Sequence, residues 1–252
     1  MNKKIQMLGV WSGAVFFVAW IIGFVFFAGW IPPISPAASA PEVAAIFQAR
    51  IIPIRIAMVI MTVFSILYLP FSVIISDLIK DIEKPSYLLS VTQIGCGLVG
   101  TIGFIIPAYV FTAVAFRPER DPVVMLAMMD FAWLFFITTL GPFALQYIAI
   151  AIAVFNDKKK EPTFPRWVGF VQVWVAVSYL PSPVAFFFKE GPFAWDGLFV
   201  WWIPFSTFTL WIFVMLYACR RAILNAPEHH LLPPAAAAVE SVATATARST
   251  LS

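Results

Sequence analysis

The sequence is poor in charge: only 12% of its 252 residues are Asp, Glu, Lys or Arg, about half the 25% usual in soluble domains. Hydrophobic residues make up 62%, and the mean hydropathy is +0.91. A soluble globule of this size needs more polar surface than that. Low hydrophobicity is the mark of disorder, so disorder is excluded for most of the chain. Two cysteines, Cys96 and Cys219, are too few for a disulfide scaffold. The two histidines, His229 and His230, sit together in a polar tail. That argues against haem and histidine-ligated metal chemistry, and no metal site or cofactor is expected. Motifs for nucleotide binding, a nucleophile elbow or zinc proteolysis are missing. No acid, base and nucleophile set can be assembled, so the reading leans away from an enzyme.

What the sequence has is long apolar runs. A spanning helix needs about 20 mostly apolar residues, and six stretches meet this: 8–31, 51–79, 87–116, 122–155, 167–188 and 197–219. They are continuously apolar, whereas barrel strands alternate over about ten residues. The expected fold is all-α, a polytopic six-transmembrane-helix bundle over residues 1–224, with a disordered tail over 225–252. The run from Leu8 to Ile31 exceeds the signal-peptide core of about 7–15 residues, so it is read as a retained helix. Lys3, Lys4, Lys80, Lys84, Lys158, Lys159, Lys160, Arg166, Arg220 and Arg221 flank one side. Arg50, Arg55, Arg117, Arg120 and Lys189 flank the other. The positive-inside rule then puts both termini in the cytoplasm. This bias accounts for the net charge of +3, which implies no nucleic-acid partner.

Ionisable residues inside spans are costly and are functional candidates by default. Arg55 lies about one turn into the second span and Asp130 about two turns into the fourth, at similar depth. An intramembrane ion pair is expected. Three roles stay open: a structural pair, the lining of a polar cavity for a proton, ion or small ligand, or an arginine snorkelling to headgroups beside a protonated acid. Gln172, Ser178 and Tyr179 are secondary polar candidates because prolines follow them; helix-to-helix hydrogen bonding is the simpler reading. Trp30, Trp167, Trp195, Trp201 and Trp202 read as an interfacial belt.

Prolines fall inside five spans: Pro70, Pro107, Pro142, Pro181 with Pro183, and Pro204. Each removes a bond to the carbonyl four residues earlier, here Ile66, Gly103, Thr138, Val177, Tyr179 and Val200. Those carbonyls are expected to find partners on neighbouring helices or water. The third span carries a small-residue face, Thr92, Cys96, Gly100, Gly103 and Pro107, that permits close helix approach. Asp121 and Asp196 are expected to cap the fourth and sixth helices. Ser39, Pro41 and Glu42 mark the start of a short helix on the membrane surface, unless the segment is a plain connector. Arg55 to Tyr68-Leu69-Pro70 and Arg166 to Tyr179-Leu180-Pro181 share one spacing, which a three-plus-three inverted repeat would give.

Four segments carry a family resemblance. They are Pro32-Pro33-Ile34-Ser35-Pro36 running through Glu42 to Arg55; Ala115 to Pro122; Phe164 to Gly169; and Phe187 to Gly197. With these, residues 8–224 resemble a group of uncharacterised bacterial six-span membrane proteins. The resemblance implies this topology and a bacterial inner-membrane setting, and brings no catalytic residues. The leading functional expectation is a small transporter or permease for an apolar or weakly acidic compound. A non-catalytic accessory subunit of a membrane complex is the alternative, and a lipid-acting enzyme is a third. The partners expected are the bilayer, a small-molecule substrate, and a membrane protein or a second copy.

Overall fold

Each apolar run becomes a helix, or a helix pair, of spanning length. The structure, a computed structural model, describes residues 3–226, for Leu140 the backbone alone. The segment expected to be a disordered tail lies almost wholly outside the described residues. Span 1 is α1 (Lys3–Ile21) continued by a π-helical segment (Ile22–Ala28). A short α2 (Ala40–Ala49) follows. Span 2 is α3 (Ile51–Ser65) and α4 (Tyr68–Glu83), span 3 is α5 (Leu88–Phe116), and span 4 is α6 (Pro122–Thr138) and α7 (Leu140–Asn156). Span 5 is α8 (Arg166–Ser178) with a 3-10 turn (Ser182–Phe187), and span 6 is a second π segment (Leu198–Trp202) leading into α9 (Ile203–Asn225). No strand occurs among the described residues. Six helical stretches are long and apolar enough to cross a membrane.

The spans pack as a ring in chain order. α1 touches α3 and α4, α5 packs on both halves of spans 2 and 4, α7 packs on α8, α8 on α9, and α9 closes back on α1. The Lys3 ammonium donates to the Leu224 carbonyl at 3.4 Å, so the start of α1 and the end of α9 lie on one side. That side is called the terminal side here, and the opposite one the far side.

α5 is the only span that runs as one uninterrupted α-helix. Its 29 residues extend about 44 Å at 1.5 Å per residue, close to the full bilayer thickness including headgroups, about 40–45 Å. Pro107 sits inside it without breaking it. The other four proline-bearing spans are interrupted, spans 2, 4 and 5 by a turn and span 6 by its π segment. Three of the six freed carbonyls, however, are satisfied locally. Ile66 accepts from the Leu69 amide at 3.1 Å, Val177 from Leu180 at 3.2 Å, and Tyr179 from Ser182 at 3.1 Å. Tightened three-residue turns meet these acceptors where neighbouring helices or water had been expected. Span 1 reverses the logic: it has no internal proline, yet it turns π-helical at Ile22. It ends at Gly29, whose φ of 70° favours glycine.

The small face of α5 does what such faces do. A methyl group on Gly97 would overlap the Ser72 hydroxyl of α4, and one on Gly103 would overlap Thr139. α2 forms with Ser39 as N-cap, as expected, and adds a capping box, the Glu42 carboxylate accepting from the Ser39 amide at 2.7 Å and hydroxyl at 2.8 Å. These bonds hold the Glu42 carboxyl below its ordinary range. α2 does not lie free on the surface: Val43, Ala44 and Phe47 are buried, and it packs on α6. Asp121 caps α6 through the Val123 amide at 2.8 Å, with Pro122 next. Asp196 does not cap span 6, whose N-cap residue is Gly197. Burial raises its carboxyl above the ordinary range, while a nearby Ser35 hydroxyl acts in the opposite direction.

Gly97→Ala is expected to lower the thermal stability of the detergent-purified protein, because overpacking costs about 1–3 kcal/mol. Gly95→Ala, where an added methyl meets nothing within 4 Å, should leave the melting temperature within a degree or so of the parent's. Equal melting temperatures for the two variants would show that α4 and α5 are not in this contact.

Candidate functional site

Helix ends explain the charges. The last carbonyls of any helix lack an internal partner, and cations near that end are favoured. On the far side the Arg55 guanidinium donates from Nε to the Ala115 carbonyl at 3.0 Å and from Nη2 to Phe116 at 3.2 Å. Arg120 donates to the Ala113 carbonyl at 3.0 Å and touches the Met128 sulfur. Arg50 donates to the Phe27 carbonyl at 3.2 Å, at the end of span 1. At the other end of α5, the Glu83 carboxylate accepts from the amides of Leu89 at 2.8 Å and Ser90 at 2.9 Å, and from the Ser90 hydroxyl.

Arg55 and Asp130 therefore do not pair. Lys84 and Asp81 form an ion pair at 2.6 Å, and it raises the Lys84 ammonium above its ordinary range. Arg55 is taken up by the α5 terminus, whose carbonyls need donors that a lipid interface supplies poorly. Asp130 has no hydrogen bond or ion pair among the described residues. Neither residue lines either of the two interior cavities described below.

The secondary candidates divide. Gln172 is wholly buried and bridges α8 to α9. Its carbonyl accepts from Trp211 Nε1 at 2.8 Å, and its amide nitrogen meets the Met215 sulfur at 3.1 Å. Ser178 bonds the Val175 carbonyl at 2.7 Å and the Thr207 hydroxyl at 2.8 Å across to α9. Both are helix-to-helix contacts. Tyr179 is different: it is buried at the break that ends α8, and it lines a cavity.

A second buried polar group joins α4, α5 and α7. The Tyr68 hydroxyl donates to the Gln146 carbonyl at 3.0 Å, and both Gln146 and Gln93 reach the Ser72 hydroxyl, at 3.3 and 3.1 Å. Both Tyr-Leu-Pro segments thus sit at helix breaks and dock on α7, Tyr68 on Gln146 and Tyr179 on Tyr147 at 3.5 Å.

The interior itself is aromatic. The Phe104 ring lies 4.9–6.0 Å from those of Phe16, Trp20, Tyr68, Phe136, Phe143 and Phe208, drawn from four other spans. Two cavities of about 40 Å³ each lie beside it. They share walls of Phe104, Phe136, Trp201, Phe205 and Phe208. One extends to Tyr179, Val200 and Pro204 and the other to the span 1 rings Phe16, Phe17, Trp20 and Phe24. Such a space holds a water molecule, for which about 10–15 Å³ suffices, and is smaller than the roughly 150 Å³ that takes a benzene ring. The breaks in spans 1, 5 and 6 lie against these cavities, and π segments often mark functional sites.

The tryptophan belt is the other correction. Trp167 and Trp202 are exposed as a belt requires, but Trp30, Trp195 and Trp201 are buried. With Trp133 they form one cluster, ring centroids 5.6–6.3 Å apart along the contacts. Sequence reasoning missed this, because lipid and protein core are equally apolar and a tryptophan suits both.

Comparison with family models, with curated proteins and with solved structures finds no match. The chain is an integral membrane protein by its six apolar helices.

Arg55→Gln should destabilise the protein by about 1.5–3 kcal/mol, the scale of hydrogen bonds made by a charged group. Asp130→Asn should have little effect on stability. Thermal unfolding in one detergent compares them, and equal losses would restore the pair.

Proposed function

We propose that the protein is a membrane carrier for a small, uncharged, largely apolar compound, taken from the bilayer into the cavities beside Phe104. The observation that carries this reading is the make-up of the cavity walls. Five shared aromatic side chains line both spaces, no carboxylate or cation lines either, and four interrupted spans (1, 4, 5 and 6) border them. Discontinuous helices bordering a mid-membrane site are a recurring feature of transporters. The walls offer no counter-charge to an anion, so the reading narrows from apolar or weakly acidic compounds to neutral ones. Because each cavity is smaller than an aromatic ring requires, a guest enters by displacing a wall side chain, and the half-buried Phe136, Phe205 and Phe208 are the shared wall rings with room to move. The excess of lysine and arginine on the terminal side supports cytoplasmic termini, and the motif resemblance supports a bacterial plasma membrane.

Photolabelling tests the reading. Reconstituted protein is irradiated with 3-trifluoromethyl-3-phenyldiazirine, and labelled residues are mapped by mass spectrometry. Saturable labelling at Phe136, Tyr179, Phe205 or Phe208, displaced by excess toluene and reduced several-fold in Phe208→Trp, is the expected result. Labelling confined to lipid-facing positions such as Leu8, Val15 and Phe213, rising linearly with probe, would reject it.

A further inference from the structure

The outer wall of the bundle is uneven. Span 4 is the least buried of the six, and on the far side α6 leaves an open groove of about 460 Å³ against α5. Val110 of α5 and Val123, Val124, Ala127, Met128 and Phe131 of α6 line it, with no polar side chain among them. Val123, Val124 and Phe131 are exposed large side chains. Both helices belong to membrane spans, so what the groove faces is the bilayer. From Val123 to Phe131 it runs about 12 Å along α6, at 1.5 Å per residue. Half of a hydrocarbon core about 30 Å thick is about 15 Å, so the groove is about as long as one leaflet's chains are deep.

A cation is built into the headgroup end of this groove. Arg120 Nη1 donates to the Ala113 carbonyl and meets the Met128 sulfur, each at 3.0 Å, and Met128 is one wall of the groove. These contacts hold the guanidinium against that wall, about one turn below the end of α5. A guanidinium carries five N–H groups. Nη1 accounts for two, and the three on Nε and Nη2 have no partner among the described residues. Where the bilayer gives way to headgroups, the strong acceptors at hand are lipid phosphates, which arginine grips with two N–H groups at once. Glu119 and Asp121 share the turn with Arg117 and Arg120, and Asp121 is taken up by the Val123 amide. Two acids balance two arginines, so the turn has no net charge to gather anionic lipid from a distance. Recognition of the phosphate is by contact.

We infer that this groove holds one chain of a glycerophospholipid of the far leaflet, with the lipid phosphate on Arg120. A partner helix fits it less well. Helix seams in membranes are built on small or polar residues, and here Ala127 stands alone among valines, a methionine and a phenylalanine. A flexible acyl chain follows such a furrow without needing close backbone approach. The bound lipid thereby becomes part of the α5–α6 seam. The site is on the outer face of the bundle, shares no wall with the cavities beside Phe104, and is independent of the carrier reading.

Native mass spectrometry of the detergent-purified protein tests this by counting bound lipid. The protein is titrated with dioleoylphosphatidylethanolamine and with dioleoylglycerol, which has the same chains and no phosphate. The parent is expected to bind one phospholipid about ten-fold more tightly than dioleoylglycerol, the scale of a hydrogen bond to a charged group. Ala127→Trp fills the groove from an exposed position, where the fold is not at stake, and should weaken both lipids several-fold. Arg120→Gln keeps an amide donor for the Ala113 carbonyl and should bring the phospholipid down to the level of dioleoylglycerol. Leu98→Trp, at an exposed position of α5 outside the groove, should change neither. Equal binding of the two lipids by the parent overturns the inference, as does phospholipid binding that is unchanged in Ala127→Trp. So does a preference that survives Arg120→Gln. A disulfide-linked dimer of Ala127→Cys also overturns it by placing a second copy at the groove, since Cys96 and Cys219 are both buried.

Discussion

One unbroken helix sets the rest of the bundle. α5 must have both ends satisfied where the bilayer gives way to headgroups, and it does: Glu83 accepts from its first amides, and Arg55 and Arg120 donate to its last carbonyls. The charges also complement the helix dipole, acid at the N-terminus and cations at the C-terminus. Each capping residue comes from another span or a flanking turn, so the caps tie α5 to α3, α4 and α6. Between those ends the small residues Gly97, Gly100 and Gly103 admit Ser72, Phe143 and Thr139 to near contact. Phe104 is then held at the centre of the ring, where rings from four other spans converge.

The spans around α5 are interrupted, and the interruptions have a common logic. Proline removes an amide, and the stranded carbonyl is recovered by a tighter local turn, as at Ile66, Val177 and Tyr179. The backbone therefore bends without exposing polar groups to lipid, which a membrane interior does not tolerate. The bends also turn side chains that a straight helix would point elsewhere. Tyr68 and Tyr179 both reach α7 from such turns. Trp201 is brought inward by the π segment that precedes Pro204.

Much of this architecture was legible in the sequence, because it depends on length and on local chemistry. Span limits follow from bilayer thickness, and Asp121 with Pro122, and Ser39 with Glu42, are caps that need only neighbours in sequence. The site was less legible for two physical reasons. First, in a membrane protein the lipid-facing and inward-facing surfaces are both apolar, so no periodicity told Trp30 and Trp201, which are buried, from Trp202, which is not. Second, Arg55 and Asp130 stood out by charge alone, and charge at a helix end is more often used by the nearest free carbonyls than by a distant acid. Tyr179 was found because Pro181 marks a break beside it. Its neighbour Trp201 carried only the weaker signal of Pro204 three residues on. The π segment of span 1 has no proline to announce it; it holds Gly23 and ends at Gly29.

Charge in this protein therefore builds the frame, and the interior around Phe104 is aromatic, with two small apolar cavities beside it. The most direct measurement is an experimental structure of the protein determined under xenon pressure. Xenon enters apolar cavities without hydrogen bonding. The account predicts a xenon peak between Phe104, Phe136, Trp201, Phe205 and Phe208. Rings closed on one another there, with xenon only at the lipid-facing surface, would contradict it.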